Sequence, residues 1–157
     1  MPKKIISYLK HSFPLSVSNV VSEGNLISLS VKKEQFYEVL LALKDDKMFD
    51  HLSDITCIDY IDENEFELIY HLWSHIKKLR VNVKVRIARN SPSIKSVVDL
   101  WAGAQIHERE NHEMFGINFE GNPNLSPLFL EDWEEIPPFR KDFDTREYVR
   151  EHDYGGD

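Results

Sequence analysis

Leu79, Val81, Val83, Val85 and Ile87 alternate without a break with Arg80, Asn82, Lys84, Arg86 and Ala88. Successive side chains of a strand point to opposite faces, so this run has one buried and one wet face, a pattern a helix of period 3.6 does not produce. Phe66, Leu68, Tyr70 and Leu72 repeat it, and Leu52 to Tyr60 is a third strand-like run. The connections Ile61–Glu65 and Ser74–Lys78 are too short for the crossover that a parallel pair requires. The middle of the chain is therefore expected to be an antiparallel meander.

Upstream, Val17 to Ser22 and Leu26 to Val31 form a hairpin pattern around Gly24 and Asn25. From about Lys33 to Lys47 a helix is expected, because Phe36, Val39, Leu40 and Leu43 make one apolar stripe that can cover a sheet. After Ser91 and Pro92 a second helix is expected from about Ser93 to Phe115, with Ile94, Val97, Val98, Trp101, Ala104 and Gln105 on one face. That face continues through Glu108, His112 and Phe115, and Gly116 stands where helices stop. The fold class is α+β: a hairpin and a three-strand meander packed by two helices over residues 1–115, followed by a long irregular arm, 116–157.

The arm holds four of the seven prolines and shows no periodicity, yet eight aromatics lie between Phe115 and Tyr154 inclusive. A segment this long without regular structure is either functional or disordered, and so many aromatics argue for function. Residues 131–157 hold ten acids and four bases, and so carry −6 of the formal −8 charge. Such acidity excludes a nucleic-acid surface, which needs clustered Lys and Arg. One cysteine, Cys57, excludes an internal disulfide and any cysteine-rich zinc or iron–sulfur cage built by this chain alone. Met1 to Lys10 lacks the apolar core of a signal peptide, and no stretch approaches the ~18 apolar residues of a spanning helix. The expectation is a soluble, intracellular protein.

Glu108, Arg109, Glu110 and Glu113 form a cluster of charged residues at the end of the second helix. Arg109 and Glu113 stand at i, i+4 and can pair on a solvated face. Glu108 lies on the apolar stripe, where a carboxylate must find donors or a cation, and Arg140 or Lys141 is the expected partner. Phe139 to Phe143 is either an ordinary loop or a clamp, with two aromatic anchors flanking an Arg that can grip a carboxylate bidentately. Trp133 among Glu131, Asp132, Glu134 and Glu135 is either an anchor or a local packing residue. His107 and His112 are five apart, about 140° around a helix, and so cannot share a metal as an i, i+4 pair does. A small metal-dependent hydrolase built on His107, Glu108 and His112 is the alternative from another class. No nucleophile elbow or phosphate loop is present, and Cys57 falls mid-strand, the position of an inert thiol.

Glu108 to Gly116 resembles the Glu-Arg-Glu-x-x-Asp-x-Phe-Gly signature of the C-subunit family of respiratory complex I, the NADH:quinone oxidoreductase. Gly121, Pro123 and Leu125 are similar to that family's Gly-His-Pro-x-Leu-Arg element, and Pro138 to Phe143 to its Pro-Leu-Arg-Lys-Asp-Phe element. Departures are Glu113 for Asp, Asn122 for His, Ser126 and Pro127 for two Arg, and Phe139 for Leu. They remove cationic character from one docking loop and admit the equivalent subunits of membrane-bound NiFe hydrogenases and of F420- or ferredoxin-linked complexes.

The resemblance implies a non-catalytic, cofactor-free subunit on the cytoplasmic side of a membrane-bound complex, touching the membrane only indirectly. Its partners would be a large catalytic-type subunit, quinone-site or hydrogenase-like, and iron–sulfur subunits that carry the electrons. Glu108, Arg109, Glu110, Glu113, Phe115 and Gly116 would order the helix end. Pro123, Trp133, Phe139, Arg140, Lys141, Asp142 and Phe143 would tie the arm to a neighbour, from whose surface the arm gains its order.

Overall fold

In the computed structural model, which describes residues 2–152, the protein runs α1 (Pro2–Ser12), β1 (Val17–Glu23), β2 (Leu26–Val31), α2 (Phe36–Asp45), β3 (His51–Tyr60), β4 (Glu65–Ser74), β5 (Leu79–Ala88), β6 (Ser93–Lys95), α3 (Ala104–Phe115), β7 (Asn118–Glu120) and α4 (Thr145–Glu151). Residues 153–157 of the arm, with their aromatic and acids, lie outside the described residues. The α+β class is as expected: β3, β4 and β5 form the antiparallel meander, paired from Tyr60–Glu65 to His51–Trp73 and from Glu65–Ala88 to Ser74–Leu79. The β1–β2 hairpin turns at Gly24, whose φ of +57° a residue with a side chain adopts only with strain.

The alternation in β5 sets the layers. Val81, Val83 and Val85 are fully buried, and Ile87 and Leu79 nearly so. They share one cluster with Phe66, Leu68, Tyr70 and Leu72 of β4, Ile27 and Leu29 of β2, Phe36, Val39, Leu40 and Leu43 of α2, and Ile5 and Leu9 of α1. Phe36 packs on Tyr70 with ring centroids 4.7 Å apart. The other face carries Arg80, Asn82, Lys84 and Arg86; Arg86 reaches Glu63, Glu65 and Glu67 at 2.8–3.1 Å and lies over the Tyr60 ring.

Four features differ from expectation. The hairpin joins the meander through a parallel pair, β2 on β5, giving the order β1-β2-β5-β4-β3; the whole of α2, β3 and β4 serves as the crossover. Helix α1 is not expected from the sequence; Ile5 and Leu9 at i, i+4 bury its one face. Helix α4 is not expected either, and Asp144 caps it by accepting from the amides of Arg146 and Glu147. Finally, residues 93–103 are not helical. Ser93–Lys95 pairs in parallel with Asn118–Glu120 beyond α3, and a partner so far along the sequence outweighs the local apolar spacing. Ile117 and Phe119, at the start of the arm, are buried.

Candidate functional site

Helix α3 presents two working stripes. Along the buried one stand Ala104, Glu108, Asn111 and Phe115. Glu108 has no exposed surface, and its carboxylate accepts from the Ser96 hydroxyl at 2.6 Å, the Val97 amide at 2.8 Å and the Asn122 side-chain amide at 2.7 Å. Its partners are thus neutral donors, not Arg140 or Lys141 as the sequence suggested. Burial raises its pKa above the usual carboxylate value, and the three hydrogen bonds offset part of that shift. By taking up the Val97 N–H and the Ser96 hydroxyl, the carboxylate also holds the non-helical 96–97 segment against α3. Asn111 donates to the Ile55 carbonyl at 2.7 Å and so joins α3 to β3. Gly116 ends the helix at φ +76°, donating to the His112 carbonyl, as expected of a helix stop.

The second stripe is Gln105, Arg109 and Glu113, spaced i, i+4, i+8. Gln105 donates to the Asn124 carbonyl at 2.6 Å, and Arg109 to the carbonyls of Ser126 and Pro127 at 3.1 and 2.8 Å. Glu113 accepts from three consecutive amides, Leu128, Phe129 and Leu130, at 2.8–3.2 Å. Among the described residues Arg109 and Glu113 therefore do not pair with each other; both are spent on the 122–130 loop. Within that loop Asn122 and Asn124 accept from the amides two residues on, at 2.9 and 3.0 Å.

A third attachment lies at Phe139–Phe143. Arg89, with 8% of its side chain exposed, donates to both oxygens of Asp59 at 2.7 and 3.0 Å and to both of Asp142 at 3.1 and 2.6 Å. The Lys141 amide donates to Asp59 at 2.8 Å, and the Phe139 amide to the Met114 carbonyl at 3.0 Å. Burial opposes ionisation of Asp59, but Arg89 and the Lys141 amide outweigh it and hold the carboxyl below its usual value. The Arg89 hydrogen bonds lower Asp142 likewise, and Asp59 in turn raises Arg89. Asp142 is thus tied to this protein's own sheet, where the sequence had it reaching a neighbour. Arg140 bonds Asp142 at 3.3 Å and lies over the Phe66 ring.

The remaining predicted residues divide. Phe115 packs edge-on against Phe66 and Phe139. Trp133 and Phe143 pack together with Tyr148 of α4, and the Trp133 indole donates to the Ile136 carbonyl; Trp133 is a packing residue. Glu110 lines a shallow groove with Met114 and Phe139, while Pro123 is exposed on the loop. His107 faces Asp54 at 3.2 Å and His112 faces the Ile117 carbonyl at 2.8 Å, so the two histidines address different elements. Burial pushes the Cys57 thiol well above its usual pKa, which leaves it a poor nucleophile.

The model of the family described as Respiratory-chain NADH dehydrogenase, 30 Kd subunit, matches residues 29–149. The protein belongs to that family. Residues 108–116, 121–125 and 138–143, the segments that resemble its motifs, all take part in these attachments. Among curated relatives it is similar to the C subunit of NADH-quinone oxidoreductase from Citrifermentans bemidjiense, 36% identical over 136 residues, 86% of this chain and 84% of that one. It is equally similar to the C subunit of F(420)H(2) dehydrogenase from Methanosarcina mazei, 36% over 148 residues, 90% and 91%. Among solved structures it superposes with TM-score 0.87 and 27% identity on one polypeptide of the membrane-bound sulfane sulfur reductase, an archaeal respiratory membrane complex, covering 99% of this chain and 93% of that one. A trypsin-resistant fragment of Nqo5 gives TM-score 0.68 at 26% identity, covering 79% and 98%.

Asp59, Arg89 and Ser96 carry much of this geometry and were not singled out in the sequence, which named Gln105 only as part of a helical face and Asn122 only as a departure from the family motif. For Arg89 a signal existed: 79, 81, 83, 85, 87 and 89 share one face, so the alternation itself points Arg89 inward. Asp59 faces Phe66 across the ladder, on the buried side. A buried cation and a buried anion at the same end of the two strands that flank β4 imply each other.

Proposed function

We propose that this protein is a cofactor-free scaffold in the peripheral arm of a complex I-like membrane-bound oxidoreductase, where it holds a large catalytic-type subunit against iron–sulfur subunits that carry the electrons. The observation that supports this best is the arm. Three polar attachments fix its backbone, yet Phe129, Ile136 and Phe139 stay 63%, 44% and 60% exposed, which suits an ordered docking surface better than an active site. No described helix is long and apolar enough to cross a membrane, so membrane attachment would come through partners, on the cytoplasmic side.

A second placement, the equivalent subunit of an F420-, ferredoxin- or hydrogenase-type complex around the same scaffold, draws its support from the Methanosarcina relative, a subunit of F(420)H(2) dehydrogenase. Purifying the tagged protein from its native membranes tests both. Co-recovery of a large subunit and iron–sulfur proteins is expected, and a nickel-binding or quinone-reducing large subunit distinguishes the placements. A protein recovered alone, stable and monomeric, would refute the scaffold role.

A further inference from the structure

We propose that Phe129 is a pre-ordered hydrophobic knob that enters an apolar pocket with a cationic rim on a partner protein. This rests on the scaffold role above and names the chemistry of the surface the arm meets.

An exposed phenylalanine is by itself unremarkable on a protein surface. Phe129 differs in how its backbone is held. Its amide donates to both oxygens of Glu113, at 3.2 and 3.0 Å, and the amides on either side bond the same carboxylate. Just upstream, Arg109 holds two successive carbonyls. Leu125 and Leu130 are half-buried and packed against the core, so the loop is pinned on both sides while the ring between them points outward, 63% exposed. Docking such a ring gains apolar burial without the cost of ordering a loop, the property of interface hot spots.

The neighbouring charge identifies the occupant. Glu131, Asp132, Glu134 and Glu135 are all exposed, and among the described residues none of them is in an ion pair. A partner pocket ringed by Lys or Arg matches this rim. An anionic lipid surface or a second copy of this protein, with its formal charge of −8, would set like charge against like.

The test is competition in the native host between full-length wild-type and F129A proteins carrying different tags, scored as their ratio in the purified complex. F129A is expected at about one tenth of the wild-type share or less, with F129L intermediate. The charge-reversed variant E131K/D132K/E134K/E135K should also be under-represented, with the loss shrinking as salt is raised. The isolated F129A protein should melt with the wild type. Equal incorporation of F129A overturns the knob while leaving the scaffold role intact. A lowered melting temperature for F129A also overturns it, because a ring that holds the fold is not an outward knob. If the wild-type protein itself recovers no partners, the scaffold role fails and the knob with it. Retention of F129A on anionic vesicles below wild type would move the site to lipid and refute the protein pocket.

Discussion

Severing Asp142 from Arg89 should loosen residues 139–151 while the sheet stays folded, whereas removing Arg89 should damage both. Asp142 receives two charge-assisted hydrogen bonds from Arg89, at 3.1 and 2.6 Å, but 39% of its side chain is exposed. Fully buried bonds of this kind contribute about 1.5–3 kcal/mol, and solvent screening brings the value here to about 1–2 kcal/mol. Asp142→Ala should therefore raise the opening equilibrium of residues 139–151 by about 5–30-fold. Asp59 is only 2% exposed on its side chain. Without Arg89 it keeps the single Lys141 amide, and a buried charge stripped of its partner costs about 3–5 kcal/mol. For a protein of this length that corresponds to a melting point lowered by about 6–20 °C. Native-state hydrogen exchange at the Phe139 and Lys141 amides, read beside thermal melts of both variants, measures the two effects. If Asp142→Ala exchanges at the wild-type rate, or lowers global stability as much as Arg89→Ala does, the latch as described is wrong.

Replacing Glu108 with Ala leaves the Val97 amide, the Ser96 hydroxyl and the Asn122 amide without their acceptor and should cost about 2–4 kcal/mol by denaturant titration; Glu108→Gln should cost less. Opposite signs of pH dependence are expected. Asp59 and Asp142 are lowered in the fold, so their contribution is present above the ordinary carboxylate value of about 3.9 and is lost as pH falls through the lowered values. Glu108 is raised, so the folded protein binds its proton more tightly and stability declines as pH climbs from about 4.3 through the raised value; melting temperature against pH should lose this second limb in Glu108→Gln. Glu113→Ala frees three loop amides and should raise exchange at Leu128, Phe129 and Leu130, by the roughly 10-fold that corresponds to about 1–2 kcal/mol, while amides of β4 and β5 keep their wild-type rates.

The strands were legible because their alternation is a local signal: Leu79–Ala88 matches expectation at both ends, and the short connections dictated the meander. Two things were not local. The parallel pairing of β2 with β5 depends on where the hairpin swings after two intervening strands, and the spacing of Leu26–Val31 says nothing of it. Ile94, Val97 and Val98 fit a helical stripe as well as a strand and turn, and only the pairing with Asn118–Glu120 decides between them. At the site, the motif residues were visible by type, but their partners were not. Glu108 was correctly placed on the inward stripe, yet its donors include the Val97 backbone amide, which has no sequence identity to read. Arg109 and Glu113 likewise hold main-chain atoms, so the spacing that suggested a pair between them was satisfied elsewhere.

That reliance on main-chain atoms separates two jobs that most surface loops combine. The carbonyls of Ser126 and Pro127 and the amides from Leu128 to Leu130 are supplied by almost any amino acid, so α3 can fix the path of the loop while leaving its outward side chains open to change. Positions such as 126, 127 and 129 become an interchangeable tip on a constant handle. One fold could in this way be refitted to the differing neighbours of several respiratory machines by substitutions that leave its own stability almost untouched.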